Sequence, residues 1–194
     1  MSYRASNPIV TRLAGATAPS SRGLLLWGRI DQGQLILEPA IEVDAPPTLP
    51  SRPGRHRLEG FSAAGQALFS LSFDGDRVAD SPDPNDETFA FVVPLSQLRG
   101  IDLDRLRFSA LGRQLEQRGG GRSTTPVAQR TASGRIRVTW DASAARVAMV
   151  RDARTRAILS FARGGTVDLP ASADDLDVTL SNGVRSIRAR VRPR

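Results

Sequence analysis

The sequence predicts an all-β chain organised as two small β-sandwich modules in tandem. Short apolar runs alternate with polar residues at the two-residue period of half-buried strands, and Gly- and Pro-containing turns separate them at close intervals. A polar, glycine-rich break, Arg118 to Pro126, lies between two such series of strands. The third feature is the terminal stretch Asp174 to Arg192. There Leu176, Val178 and Leu180, then Ile187, Ala189 and Val191, alternate with charged and polar residues around Asn182-Gly183, a strong hairpin signal.

The chain has 194 residues, room for one large domain or two small ones. No apolar run approaches the roughly 18 residues that span a membrane, and residues 1–22 carry no continuous apolar segment of the signal-peptide kind. There is no cysteine, which excludes disulfides, thiolate metal sites and cysteine nucleophiles. All 27 basic residues are arginine, so Schiff-base and P-loop lysines are excluded too. The net charge of +7 raises the question of a polyanion partner. Aromatic residues make up only 5% of the chain, too few for a single-strand stacking platform, and no sequence-specific nucleic-acid motif is present.

Taken in order, residues 1–22 are rich in Ser, Ala, Pro and Thr and are expected to form an irregular leader. Leu24-Leu25-Leu26-Trp27 opens a strand, Asp31-Gln32-Gly33 turns it, and Gln34 to Val43 returns as a second. The proline-rich stretch Ala45 to Gly54 cannot be a central strand and reads as an extended crossover between sheets. Arg55 to Phe61, Ala67 to Phe73, Thr88 to Val93, Arg105 to Ser109 and Arg113 to Gln117 complete a first module over 23–117. The leucines between Leu98 and Leu111 also suit a short helix. After the 118–126 linker, the second module, 127–194, opens near Val127. It continues through Ile136 to Trp140, the run around Val147 and Met149, and Ala157 to Ala162, and Gly164-Gly165 and Pro170 then break the chain before the terminal hairpin. About seven short strands at most suit a small immunoglobulin-like or fibronectin type III-like sandwich. A two-residue loop at Asn182-Gly183 would set Val178 opposite Ile187 and Leu176 opposite Ala189 on the buried face. On the solvated face it would set Asp177 opposite Arg188 and Asp175 opposite Arg190.

Candidate sites are few. Asp74, Asp76, Asp80, Asp83 and Asp86, with Asn85 and Glu87, gather hard oxygen ligands in a flexible loop, as a calcium site requires. The spacing is not that of an EF-hand: counted from Asp74, the fifth position is Val78 and the glycine position is Ala79. The same residues serve turn chemistry in a hairpin loop, and that is the favoured reading, with no cofactor expected. His56 is the only histidine, so a two-histidine zinc site is impossible within this chain, and it shares a strand face with Leu58 as a half-buried structural residue would. Gly60-Phe61-Ser62-Ala63-Ala64-Gly65 lacks the spacing of a nucleophile elbow, and no catalytic residue is assigned. Trp27 and Trp140 both sit in apolar strand contexts that point to core packing, with sugar stacking as the functional alternative. Because acids of the terminal hairpin stand opposite its arginines, residual positive charge is expected chiefly at Arg118, Arg122, Arg130, Arg192 and Arg194.

Several stretches together resemble the C-terminal β-rich region of large secreted bacterial metallopeptidase-like proteins. They are Gly134 to Asp141, Val147 to Asp152, Ile158 to Gly165 and Leu180 to Ser186 in the second half, and Leu24 to Gly28, Leu58 to Gly60 and Phe69 to Phe73 in the first. The resemblance rests on strand-and-turn patterns over about residues 23–192 and carries over no catalytic residue. It implies a non-catalytic accessory or binding region of an exported bacterial protein, secreted or at the cell surface, whose partner would be an upstream catalytic domain of the same polypeptide. Two other expectations stand beside it: a hydrolase on glycans or peptides using carboxylates in an inter-module cleft, and an arginine-dependent binder of anionic polymers.

Overall fold

A computed structural model describes residues 22–119, 124–170 and 174–194. Its described residues form an all-β fold of four antiparallel sheets. The first half is organised around β1 (Arg22–Asp31), whose pattern divides cleanly: Leu24, Leu26 and Ile30 are buried on one face, and Leu25, Trp27, Arg29 and Asp31 lie on the other. β2 (Gln34–Leu37) returns beside it through a two-residue loop, Gln32-Gly33, with both residues at positive φ (49° and 72°) as that tight hairpin demands. The expected single strand from Gln34 to Val43 is split, and β3 (Ile41–Asp44) pairs with the beginning of β1. Pro39 falls in the gap, where it cannot donate to a ladder, and its carbonyl accepts from the Trp27 indole N–H at 3.1 Å.

β4 (His56–Phe61) and β5 (Ala67–Phe73) form a hairpin in a second sheet. β6 (Asp76–Arg77) is a two-residue strand beside β7 (Glu87–Pro94), and β7 pairs along most of β1. The proline-rich crossover touches this sheet once, where Thr48 and Val92 exchange backbone hydrogen bonds. A single 3₁₀ turn, Leu95–Leu98, is all the helix the leucine-rich segment forms before β8 (Arg105–Ala110) and β9 (Arg113–Arg118). The second sheet has the order β5-β4-β8-β9. Between the two sheets lie Leu24, Leu26, Ile30, Leu58, Leu71 and Leu106 with Phe73, Phe89 and Phe108. Phe89 is 4.9 Å from both other rings, centroid to centroid, in tilted contact.

The second half contributes β10 (Val127–Arg130), β11 (Ile136–Thr139), β12 (Val147–Asp152), β13 (Ile158–Arg163), β14 (Thr166–Leu169), β15 (Leu176–Ser181) and β16 (Ser186–Val191). One sheet has the order β10-β11-β14 and the other β13-β12-β15-β16. β14 occupies the stretch where the sequence suggested only a break. Gly164 and Gly165, both near φ = 84°, turn the chain from one sheet into the other, and the Gly165 carbonyl accepts from Trp140 N. Trp140 is buried in this core with its indole N–H on the Ala145 carbonyl at 2.8 Å.

The terminal hairpin corrects the expected register. Its loop is four residues, Asn182 to Arg185, with Ser181 paired to Ser186. Val178 therefore faces Ala189, Leu180 faces Ile187, Leu176 faces Val191 and Asp177 faces Arg190. The shift of two residues preserves which side chains share a face. Its cause is tertiary: Val184 in the loop is buried in the core of the first half, beside Gly119. The Gly183 carbonyl accepts from Ala40 N (2.6 Å) and from Gln117 Nε2 (2.9 Å), while Ser181 Oγ donates to the Ala40 carbonyl. Gly183, at φ = 144°, lies where a Cβ would come 2.7 Å from the Arg118 carbonyl oxygen.

The face of this sheet expected to be solvated is also covered. β12 is buried on both sides: Ala148 and Val150 enter the core of the second half, while Val147 and Met149 pack on Ile41, Val43 and Val92 of the first. On β15, Thr179 and Ser181 are buried as well. The two halves thus meet through a shared apolar cluster and an inserted loop. The expected leader, 1–22, lies outside the described residues except for Arg22, which opens β1, and so do residues 120–123 of the expected linker.

Candidate functional site

The outward face of β1 is graded along its length. Near Leu25 it is closed by Val147 and Met149 of β12; toward Trp27 and Arg29 it opens into a cleft. Trp27 and Arg29 are in register with Ala90 and Thr88 of β7, and Thr88 is in register with Asp76 of β6, so these residues form a continuous patch across three strands. From the other half, Phe161 and Arg163 of β13 share the face of Met149 and Val147 and overhang this patch. Trp27 and Phe161 meet edge to face with centroids 5.5 Å apart, and the Arg163 guanidinium lies 5.5 Å from the Trp27 ring centre. The cleft encloses about 360 Å³, lined by Trp27, Arg29, Glu38, Asp76, Thr88 and Arg163 among others.

Glu38 is the buried acid of this cleft. Its Oε1 accepts from Arg29 at 3.4 Å, and its Oε2 is 2.9 Å from an Arg163 guanidinium nitrogen. With guanidinium donors on both oxygens, this carboxylate orients two arginines and an aromatic edge.

Toward the start of β1, across the apolar contact from the cleft, an ionic cluster joins the halves. Asp44 of β3 receives Arg151 (2.6 Å), Arg156 and Arg188 (3.5 Å), and Asp177 receives Arg156 (2.6 Å) and Arg190 (3.5 Å). Burial by itself would raise the Asp44 carboxyl's pKa; the hydrogen bond from Arg156 and the charges of Arg188, Arg151 and Arg156 outweigh it and hold the group below its ordinary value. Arg151 is buried, which makes Asp44 its necessary counter-charge.

The five acids considered for calcium are dispersed in their roles. Asp74 accepts from Arg55 N at 3.1 Å, Asp76 lies in β6, and Asp80 adopts positive φ (64°) in the turn. Asp83 accepts from both the backbone and side-chain N–H of Asn85. Asp86 points inward to Gln32 N (2.7 Å) and the Ser81 hydroxyl; the Ser81 bond, then that from Gln32, holds its pKa below the ordinary value. Among the described residues no group of three or more His, Asp or Glu side chains is gathered to hold a metal ion.

His56 is fully buried, and its partner was not evident from the sequence. Nε2 is 2.8 Å from Glu87 Oε2, which also accepts from Gly75 N at 3.0 Å, while Glu87 Oε1 takes Arg55. His56 and Glu87 extend from facing strands into one end of the aromatic core, beside Phe73 and Phe108 and away from the cleft. The signal available was period: Glu87 sits two residues before Phe89 and so shares its inward face. The tail arginines also differ from expectation. Arg192 is paired with Asp175 at 2.9 Å and Arg130 with Asp174 at 3.5 Å, while Arg122 lies outside the described residues.

No protein-family model matches the chain, and comparisons with curated proteins and with solved structures give no match.

Proposed function

We propose that this chain is a non-catalytic accessory region of an exported bacterial protein, serving an upstream catalytic domain of the same polypeptide. In this reading it is two β-sandwich modules docked into one binding unit, and the junction cleft takes a saccharide-like ligand. The finer fold assignment is supported by the strand orders of the second half. Three strands in one sheet and four in the other, with Trp140 and the apolar residues of both between them, is the arrangement expected of an immunoglobulin- or fibronectin type III-like sandwich. Attachment to an exported metallopeptidase-like protein is supported by the strand-and-turn resemblance.

The observation that carries the binding role is the cleft itself. An aromatic pair supplies an apolar platform, and Arg29, Glu38, Asp76, Thr88 and Arg163 supply fixed donors and acceptors around it. That is the chemistry a sugar ring needs, with an apolar face to stack and hydroxyls to satisfy. Glu38, engaged by two guanidiniums, favours recognition over acid catalysis.

Tryptophan emission tests this directly. In Trp140→Phe, Trp27 is the sole tryptophan and reports on the cleft. Titration with a panel of neutral oligosaccharides is expected to shift its emission saturably with at least one of them. Phe161→Ala, which removes the overhanging ring, should weaken that response at least several-fold. No response to any sugar refutes the saccharide reading. Cleavage of a sugar or peptide substrate that is lost in Glu38→Gln would replace it with the hydrolase reading.

A further inference from the structure

A second surface, remote from the cleft, carries an excess of positive charge. The outward face of the β5-β4-β8-β9 sheet is a grid set by register. Across it run Ser72, Arg57, Ser109 and Gln114; then Ser70, Glu59, Arg107 and Glu116; then Phe61, Arg105 and Arg118. Arg113, whose side chain leaves β9 on the opposite side from Gln114, borders one end and donates to the Gly33 carbonyl of the facing sheet's hairpin at 2.9 Å. Four guanidiniums thus accompany two carboxylates, an excess of +2 in a chain whose net charge is +7. A shallow, open groove of about 580 Å³ runs along Arg57, Arg107 and Arg113.

Two of the arginines, Arg105 and Arg107, are held in place. The Arg105 and Arg107 guanidiniums lie 4.7 and 5.0 Å from the Phe61 ring centre, and both reach Glu116, at 3.0 and 2.9 Å. Arg57 and Arg118 have no side-chain acceptor among the described residues and stand open to a ligand. Rows of this sheet lie about 7 Å apart along a strand, and strands about 5 Å apart. The face thus sets two uncommitted guanidiniums, each able to take an oxyanion bidentately, beside two anchored ones.

We propose that this face binds a linear polysaccharide bearing sulfate or carboxylate groups, laid along the groove. A polysaccharide fits better than a nucleic acid because Phe61 is the single aromatic side chain of this face, and one ring gives no series of surfaces on which successive bases could stack. This inference does not depend on the cleft, and its variants leave the cleft untouched.

The test is equilibrium binding of a size-defined heparin oligosaccharide across a salt series, with an oligothymidylate of equal charge alongside. The expected result is saturable heparin binding at 0.15 M NaCl, weakening steeply with salt. Arg57→Ala/Arg118→Ala should lose at least about tenfold in affinity and lower the salt slope by about two. Glu59→Gln, which removes a carboxylate from the middle of the grid, should bind several-fold tighter and thus guards against a trivial folding defect. Arg190→Ala on the other half should bind as the unaltered chain does. Absence of binding, indifference to the Arg57/Arg118 pair, an equal loss in Arg190→Ala, or tighter binding of the oligothymidylate would each overturn the proposal.

Discussion

Two four-stranded sheets in this molecule carry arginine on their outward faces, yet the two faces have opposite fates. On β13-β12-β15-β16 the outward residues include Phe161, Arg163, Val147, Met149, Arg151, Asp177, Thr179, Ser181 and Arg188, and the first half covers much of that face. On β5-β4-β8-β9 they include Arg57, Glu59, Phe61, Arg105, Arg107 and Glu116, and the face is left to solvent and ligands. Arginine count does not separate them. What does is the company kept: the covered face has apolar Val147 and Met149 at its centre, and Asp44 stands opposite its arginines to meet them. The open face has charge in the middle and its only aromatic side chain, Phe61, beneath guanidiniums.

Substitutions on the two faces should therefore differ in kind. The largest effect is expected from Val184→Asp, which puts a carboxylate into the apolar core that the hairpin loop enters. A loss of about 4 kcal/mol or more in urea unfolding is expected, and an effect under 1 kcal/mol would mean the loop is not inserted in solution. Next is Asp44→Ala. It strands buried Arg151 without its partner and should cost about 3 kcal/mol, whereas Glu116→Ala on the open face should cost far less.

The same contrast carries a pH signature. Asp44's folded-state pKa is depressed, so its stabilising contribution is complete above the unfolded value of about 4 and is lost as pH falls through the lower folded value. Melting temperature should drop below about pH 4, and less steeply in Asp44→Asn, as thermal scans across pH 2–6 would reveal. If the variant's acid profile matches that of the unaltered chain, the junction cluster is not the acid-sensitive element. The smallest expected effect concerns the acidic loop. A calcium site occupied at a hundred times its dissociation constant would raise the melting temperature by about 5–10 °C. Dispersed as they are, the five aspartates should give no shift beyond about 1 °C on adding Ca²⁺ or chelator.

Much of the strand layout could be read from the sequence, because alternation and turn chemistry are local. Leu24, Leu26 and Ile30 against Leu25, Trp27 and Arg29 announce a half-buried strand, and Asp31-Gln32-Gly33 is the turn it was expected to be. Where the reading failed, the deciding partner was distant. Asn182-Gly183 has the local chemistry of a two-residue loop, but the first half captures Val184 and Gly183, and the loop opens to four residues. The tight hairpins form instead at Gln32-Gly33 and Leu111-Gly112, whose first residues accept φ near 50°. β12 signalled contact on both sides, since Val-Ala-Met-Val is continuous where a half-buried strand would alternate, as is Leu24-Leu25-Leu26-Trp27 of β1. The cleft could not be foreseen, since Trp27 and Phe161 are far apart in sequence and nothing local links them.

The central claim is that the covered face couples the two halves, and each half carries its own reporter, Trp27 in the first and Trp140 in the second. Urea unfolding of Trp140→Phe and Trp27→Phe, each followed by its remaining tryptophan, measures that coupling. Alongside, circular dichroism of both variants corrects for any change in overall stability. The two fluorescence transitions should each coincide with the loss of β-structure in the same variant, as for one cooperative unit. A tryptophan transition completed while a substantial part of the β-signal remains would show the halves unfolding independently, and would contradict the coupling on which the cleft depends.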